Sequence, residues 1–332
     1  MSFSYYRARD TQDALAVAAS HPNAMFIAGG TDLMQLYKAR VSAPGLVIDI
    51  TRLGMAAIES RDGAHIAIGA LARLSDIAEH PLIRAECPAL TEALAASASP
   101  QVRHMATLGG NLLQRTRCAY FRDATLPCNK RQPGAGCGAL DGENRLHALF
   151  GTSTQCVATH ASDAAVALSA SGARVRLLGR EGERVVAIDD FFVPPGLEPA
   201  RETVLAPGEL IVAVEIPRTA WAKQSRYLKV RDRASFEFAI VSVAAGVLIE
   251  DGVIRVARIT AGGVGTTPWR LYQCEAKLID MPASAAAVSA AADSAGDGAR
   301  PLRANGFKVE LLRRAVLRVL RDLTGVSQGE AA

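Results

Sequence analysis

Phe26-Ile-Ala-Gly-Gly-Thr-Asp-Leu33 is the stretch that decides how the chain is read. An apolar strand from Ala24 to Ala28 runs straight into two glycines, and Leu33, Met34, Leu36 and Tyr37 then come at helical spacing. Thr31 and Asp32 stand where the capping side chains of that helix belong. Two glycines let backbone approach a ligand closely, and free N–H groups at a helix start favour an anion such as a pyrophosphate. The pattern is not G-x-G-x-x-G, so it does not indicate a Rossmann site. One Gly-Gly pair alone signals only a tight turn. A second pair in Ala106-Thr-Leu-Gly-Gly-Asn111, again flanked by Thr and Asn, strengthens the ligand reading.

Working outward, helix and strand signals alternate. Thr11 is expected to cap a helix carrying Leu15, Val17 and Ala18, and 45–50 reads as a strand that completes a small βαβ-like unit with 24–28. A strand at 64–69 precedes a helix that Ser75 is expected to cap, and Pro81 and Pro88 break the region beyond it into short helices. After a helix-prone segment at 164–168 come strands at 174–178 and 209–216, the latter ended by Pro217. The segment 218–225 reads as a domain boundary, and beyond it lie strands at 239–248 and 253–260, an alanine-rich region at 283–299 and an amphipathic helix over 308–323. The fold class is α/β with α+β character.

Composition excludes several classes of function. The 332 residues carry 37 basic and 33 acidic side chains, with 49% hydrophobic residues and a mean hydropathy of +0.14, which describes a folded globular chain. No apolar run reaches the ~18 to 20 residues of a membrane span. A charge of +4 is too mild for a nucleic-acid footprint. The first ten residues lack the basic stretch and apolar core of an export signal, so the chain is expected to be cytoplasmic unless a signal-bearing partner carries it out.

Four of six cysteines fall between 118 and 156: Cys118, Cys128, Cys137 and Cys156. They lie in a segment, about 114–157, that has no periodicity and no apolar run able to form a core, so something else is expected to hold it. The spacings lack the short C-x-x-C knuckle that structural zinc sites favour. A cubane iron-sulphur cluster takes one thiolate per iron, and its ligands arrive from separate excursions of a loop. Zinc and a pair of disulphides stay open beside it. Arg103, Arg115, Arg117, Arg122, Lys130, Arg131 and Arg145 are near in sequence and are expected to offset thiolate charge. Cys87 and Cys274 read as core residues.

Phe26 to Leu33, Thr107-Leu-Gly-Gly-Asn111, His160-Ala-Ser-Asp163 and Tyr227-Leu-Lys-Val-Arg231, taken together and in order, resemble the FAD-binding medium subunit of the molybdenum hydroxylase (xanthine dehydrogenase) family. With a four-cysteine insertion after Gly-Gly-Asn, the chain is most similar to the FAD subunit of bacterial periplasmic-type aldehyde oxidoreductases, which carries an extra 4Fe-4S cluster. The resemblance implies a two-part FAD-binding domain of p-cresol methylhydroxylase type, at 1–55 and 56–217 with the insertion at 114–157, and a smaller C-terminal α+β domain at 218–332. It implies that Phe26, Ile27, Ala28, Gly29, Gly30, Thr31, Asp32 and Leu33 wrap the FAD pyrophosphate, with Thr107, Gly109, Gly110 and Asn111 as a second wall. Asp163 would bond towards the flavin's polar chain, Ile211 would pack near the adenine or the ring system, and Lys229 would lie close to the isoalloxazine. Cys118, Cys128, Cys137 and Cys156 would ligate the 4Fe-4S cluster.

The implied function is electron transfer. A small partner subunit with 2Fe-2S clusters would deliver electrons from a large molybdenum-cofactor subunit to FAD, and an external acceptor would remove them, so no catalytic acid or base is expected on this chain. Phe191 to Gly196 shows no clear nicotinamide-binding feature, which leaves NAD, a quinone, a cytochrome or oxygen open as acceptor. A 4-hydroxybenzoyl-CoA reductase or xanthine dehydrogenase-like medium subunit is the alternative within the family. Outside it stand a self-contained flavin oxidase of the same fold and a zinc-stabilised binding module.

Overall fold

A computed structural model describes residues 2–326. Its first sheet is parallel and has the order β1-β3-β2, with β1 at Ser4–Arg7, β2 at Ala24–Ile27 and β3 at Leu46–Asp49. The central β3 is buried along its whole length, as an apolar strand covered on both faces must be. Thr11 begins the first helix, Thr11–Ser20, but does not cap it. Asp10 is in extended backbone, and its carboxylate accepts from Asp13 N at 2.8 Å.

The second sheet is antiparallel with the order β4-β5-β8-β6-β7, formed by β4 (Ile58–Arg61), β5 (His65–Gly69), β6 (Arg174–Gly179), β7 (Gly182–Ala187) and β8 (Leu210–Pro217). Helices Leu74–Glu79, Pro81–Glu86 and Pro88–Ala96 share a core with it, two of them starting at the expected prolines. Ser75 is not the cap. Arg73 holds that position with no side-chain cap bond, and the Ser75 hydroxyl bonds Asp76 instead.

The third sheet is antiparallel in the order β12-β11-β10-β9, with β9 at Ser225–Val230, β10 at Val241–Glu250, β11 at Val253–Gly262 and β12 at Trp269–Arg270. Helices Ala285–Asp293 and Phe307–Thr324 share its core. Between the second and third sheets runs the helix Asp163–Ser171, buried at all nine positions and made of small residues around Val166 and Leu168. A Cβ added at Gly262 would lie 2.5 Å from Val166 Cγ2, so β11 reaches this helix only because glycine is there. Among the described residues, no helix is long and apolar enough to cross a membrane.

The segment 114–157 is irregular apart from the short helix Ala119–Arg122, an antiparallel bridge between Cys128 and Cys137 and a parallel bridge between Phe150 and Gly265. It has more core than its sequence suggests. Phe121, Ala139, Ala148, Leu149 and Phe150 are buried, and the N–H groups of Leu149 and Phe150 both donate to Val264 O, at 2.7 and 3.0 Å. Apart from Ala148-Leu149-Phe150 the apolar residues are scattered along the chain, and their partners come from elsewhere, the core of the third sheet for Leu149 and Phe150 and Leu36 for Phe121.

Candidate cofactor site

Phe26 and Ile27 end β2, Ala28 to Asp32 form the turn, and Leu33 opens the helix Leu33–Lys38. Gly30 has φ +68°, a conformation that disfavours side chains, and a Cβ on Gly29 would fall 1.8 Å from Met105 O. The first glycine turn is therefore in backbone contact with the segment leading into the second. Among the described residues, no acceptor is found for the N–H groups of Gly29, Gly30, Thr31 and Asp32. Half-buried N–H groups without acceptors on a turn that feeds a helix make a cradle for an anion.

Asp32 occupies the cap position without capping. Its carboxylate accepts from Arg115 N at 2.8 Å and pairs with Arg117 at 2.9 Å and Arg122 at 2.8 Å. The capping expectation fails because two guanidinium groups, which bond more strongly than a backbone N–H, and the Arg115 N–H arrive from the cysteine-bearing segment.

At the second turn, Thr107 does cap its helix, Leu108–Leu112, accepting from Gly110 N at 3.3 Å. Gly109 N donates to Ala70 O at 2.8 Å, and a Cβ there would lie 3.1 Å from Ala70 Cβ. Asn111 Oδ1 accepts from the Ser162 hydroxyl at 2.5 Å, while Ser162 caps the buried helix by accepting from Ala165 N at 3.0 Å. Next in the chain, the Asp163 carboxylate accepts from Ser97 Oγ at 2.8 Å, the Tyr227 hydroxyl and Lys229 Nζ at 2.8 Å. The Lys229 side chain is 3% exposed, so this is a buried and fully partnered ion pair. Burial beside the carboxylate raises the Tyr227 phenol well above its ordinary range.

The two turns, Asp163 and Lys229 thus form one connected set. Ile211 is not part of it: it is buried opposite Leu177 in the core of the second sheet. Its neighbour Val212 accepts from Ala70 N at 3.0 Å, and Ala70 O in turn accepts from Gly109 N of the second turn at 2.8 Å.

All six cysteines are free, so no disulphide staples the insertion. Cys87 and Cys274 are buried in two different apolar cores, as expected. Cys118, Cys128, Cys137 and Cys156 all line one small cavity of about 10 Å³, together with Tyr120, Phe121 and Lys130. Among the described residues, no three His, Cys, Asp or Glu side chains are set to hold a single metal ion. A zinc ion needs its sulphurs ~2.3 Å from one centre, so the arrangement gives zinc no support. Four thiols lining one pocket are the kind of donor set that a polynuclear cluster takes. Burial pushes the Cys118 thiol up to about 12, against the opposing pull of the N–H groups of Phe121 and Tyr120, and it raises Cys156 as well. Ligation at these positions has to displace protons.

The nearby cations are mostly engaged elsewhere. Arg115 and Lys130 pair with Glu202, Arg117 and Arg122 with Asp32, and Arg145 with Asp232, while Arg103 bonds Ser97 O. Arg131 donates to the carbonyls of Tyr120 and Phe121 at 2.7 and 2.9 Å and also to Leu126 O. The expected surplus of positive charge around the cysteines is therefore reduced but not removed, because among the described residues the seven cations meet only the carboxylates of Asp32, Glu202 and Asp232. Lys130 still favours the thiolate at Cys156.

Residues 1–219 match the family model described as the FAD binding domain in molybdopterin dehydrogenase, and residues 226–323 match the CO dehydrogenase flavoprotein C-terminal domain. The chain belongs to the FAD-binding medium subunits of the molybdenum hydroxylase family. This medium subunit is 45% identical over 322 residues to the aldehyde oxidoreductase FAD-binding subunit PaoB of Escherichia coli K12, covering 97% of the chain and 98% of that protein. It is 26% identical to the carbon monoxide dehydrogenase medium chain of Afipia carboxidovorans, covering 96% of each. Its fold is that of a chain in the crystal structure of quinoline 2-oxidoreductase from Pseudomonas putida 86, with a TM-score of 0.75 at 23% identity and 98% of both chains covered. In this medium subunit the unpaired N–H groups and the clash a Gly29 Cβ would meet fit the dinucleotide that the family binds.

Several residues of the site escape a reading by sequence alone. Ser97, Glu202 and His147 carry no motif. Ser162 and Tyr227 lie inside the motifs that carry Asp163 and Lys229, and a hydroxyl beside each of those charges is the signal that could have found them.

Proposed function

We propose that this medium subunit is the electron-transfer flavoprotein of a molybdenum-dependent aldehyde oxidoreductase, with FAD on the two glycine turns and a 4Fe-4S cluster on Cys118, Cys128, Cys137 and Cys156. Electrons arrive from 2Fe-2S clusters of a small partner subunit, the aldehyde reacts on a large molybdenum-cofactor subunit, and an external acceptor takes the electrons away. The observation that carries the FAD part is the first glycine turn, packed against Met105 just ahead of the second turn, with four N–H groups facing no acceptor among the described residues. The aldehyde assignment is supported by 45% identity to a subunit of an aldehyde oxidoreductase, and the cluster by four free cysteines on one cavity.

When bound, FAD would supply two-electron storage and the cluster a one-electron relay. The chain's own residues bind and orient. The N–H groups of Gly29 to Asp32 would hold the pyrophosphate oxygens, and Thr107 fixes the second turn by capping it. Asp32 offsets only part of the charge of Arg117 and Arg122, so the field at the turn combines backbone dipoles with a residual positive charge, and both favour an anion. The Asp163–Lys229 pair, closed off from water, holds the second turn against the third sheet through Ser162.

The test is an absorption spectrum with flavin, iron and zinc counts on the purified complex. One FAD and four irons per medium subunit, beyond those of the partner's 2Fe-2S clusters, are expected. Absence of FAD defeats the central assignment, and zinc in place of those four irons defeats the cluster.

A further inference from the structure

His147 is a buried histidine beside the cavity cysteines to which the proposed function gives no role. Its Nε2 lies 3.2 Å from Cys118 Sγ, and among the described residues Cys118 alone of the four cavity cysteines has a side-chain nitrogen within hydrogen-bonding reach. An iron-bound thiolate has no proton to give, so in the loaded protein this contact requires the hydrogen on Nε2. His147 Nδ1 has no partner, which suits a ring whose one N–H is spent on sulphur.

The backbone of His147 is held from the far end of the chain. His147 O accepts from Asn305 Nδ2 and from Lys308 Nζ, both at 3.1 Å, and both donors are completely buried. Lys308 Nζ also donates to Gly263 O at 2.8 Å. His147 N donates to Asn144 O at 3.1 Å, and Asn144 Oδ1 accepts from Ala304 N at 2.9 Å. The entry to the helix Phe307–Thr324 thus clamps the residue whose ring touches Cys118.

We infer that His147 is a positioning residue that donates its Nε2–H to the Cys118 thiolate and thereby raises the reduction potential of the cluster. The inference rests on the proposed cluster. A hydrogen bond to a ligand sulphur draws electron density from it and favours the reduced, more negative state. Asn144, Asn305 and Lys308 keep the ring in register with the sulphur.

The experiment compares wild type, His147→Leu and His147→Gln in the assembled complex, counting iron and FAD before a spectroscopic redox titration. With iron content equal, His147→Leu is expected to lower the reduced-to-oxidised ratio of the cluster about tenfold at a fixed potential, a downward shift of about 59 mV for a one-electron couple. His147→Gln, which keeps an N–H donor, stays near wild type. Loss of iron in the leucine variant but not the glutamine variant also supports the donor role. An unchanged potential in a fully loaded His147→Leu overturns it, as does an equal fall or equal iron loss in both variants. A wild-type complex without the extra four irons overturns the cluster reading itself, which the first count reveals before any variant is compared.

Discussion

The glycine turns and the cysteine insertion solve one problem in opposite ways. At the turns, side chains are absent: Gly29 lets backbone meet backbone at Met105, and N–H groups are left for the ligand. In the insertion, side chains replace the missing secondary structure. Arg131 gathers carbonyls from the helix Ala119–Arg122 and from Leu126, and Asn129 ties Gly136 N at 2.8 Å to Gln155 O at 3.1 Å. A site built from backbone fails when an atom is added, whereas one built from side chains fails when atoms are removed.

The sharpest test of that contrast is a reciprocal pair. Gly29→Ala places a Cβ where Met105 O now sits, and it is expected to abolish FAD retention while cysteine-bound iron stays. Cys128→Ser is expected to lose cluster iron and keep FAD. Flavin and iron counts on both variants decide it, and a variant that loses both groups breaks the separation. Next in size, Arg131→Ala should cost about 2 kcal/mol by removing charge-assisted bonds to several carbonyls, read as a lower thermal midpoint and faster iron loss with FAD unchanged. A stability equal to wild type would show that the insertion does not depend on its side-chain scaffold.

The smallest effect is a dependence on pH. Burial lowers the Lys308 ammonium to about 7, while the unfolded chain keeps the ordinary value of 10.5. Between those values the unfolded state binds one more proton than the folded state, so this residue's contribution to stability rises with pH and is least favourable below 7. The thermal midpoint of wild type relative to Lys308→Met should therefore climb from pH 6 to pH 9. A constant difference would mean that Lys308 stays charged against its two carbonyls.

Legibility in the sequence divides along the same line. Both glycine turns, the strands β5, β8 and β11 and the final helix are local patterns of two to eighteen residues, and they are found within a residue or two of their expected places. β9 escapes a local reading because Ser225–Val230 begins in the polar stretch that reads as a boundary, and its burial comes from β10 beside it. Asp32 departs from its expected role because a cap is a rule about the next three residues, whereas its real partners stand more than eighty positions later. The cations near the cysteines depart from theirs for a similar reason. Glu202 and Asp232, which pair with Arg115, Lys130 and Arg145, are distant in sequence and close in space.

Asp32 has one more consequence, for how the protein matures. The carboxylate that grips Arg115, Arg117 and Arg122 belongs to the flavin turn, while the arginines bracket Cys118. The two loops are thus one mechanical part. Ordering either loop orders the other, and the entropy of closing them is lost once rather than twice. Under the proposed function, that shared tie keeps either seat in shape while the other is empty, so loss of one cofactor leaves the other bound.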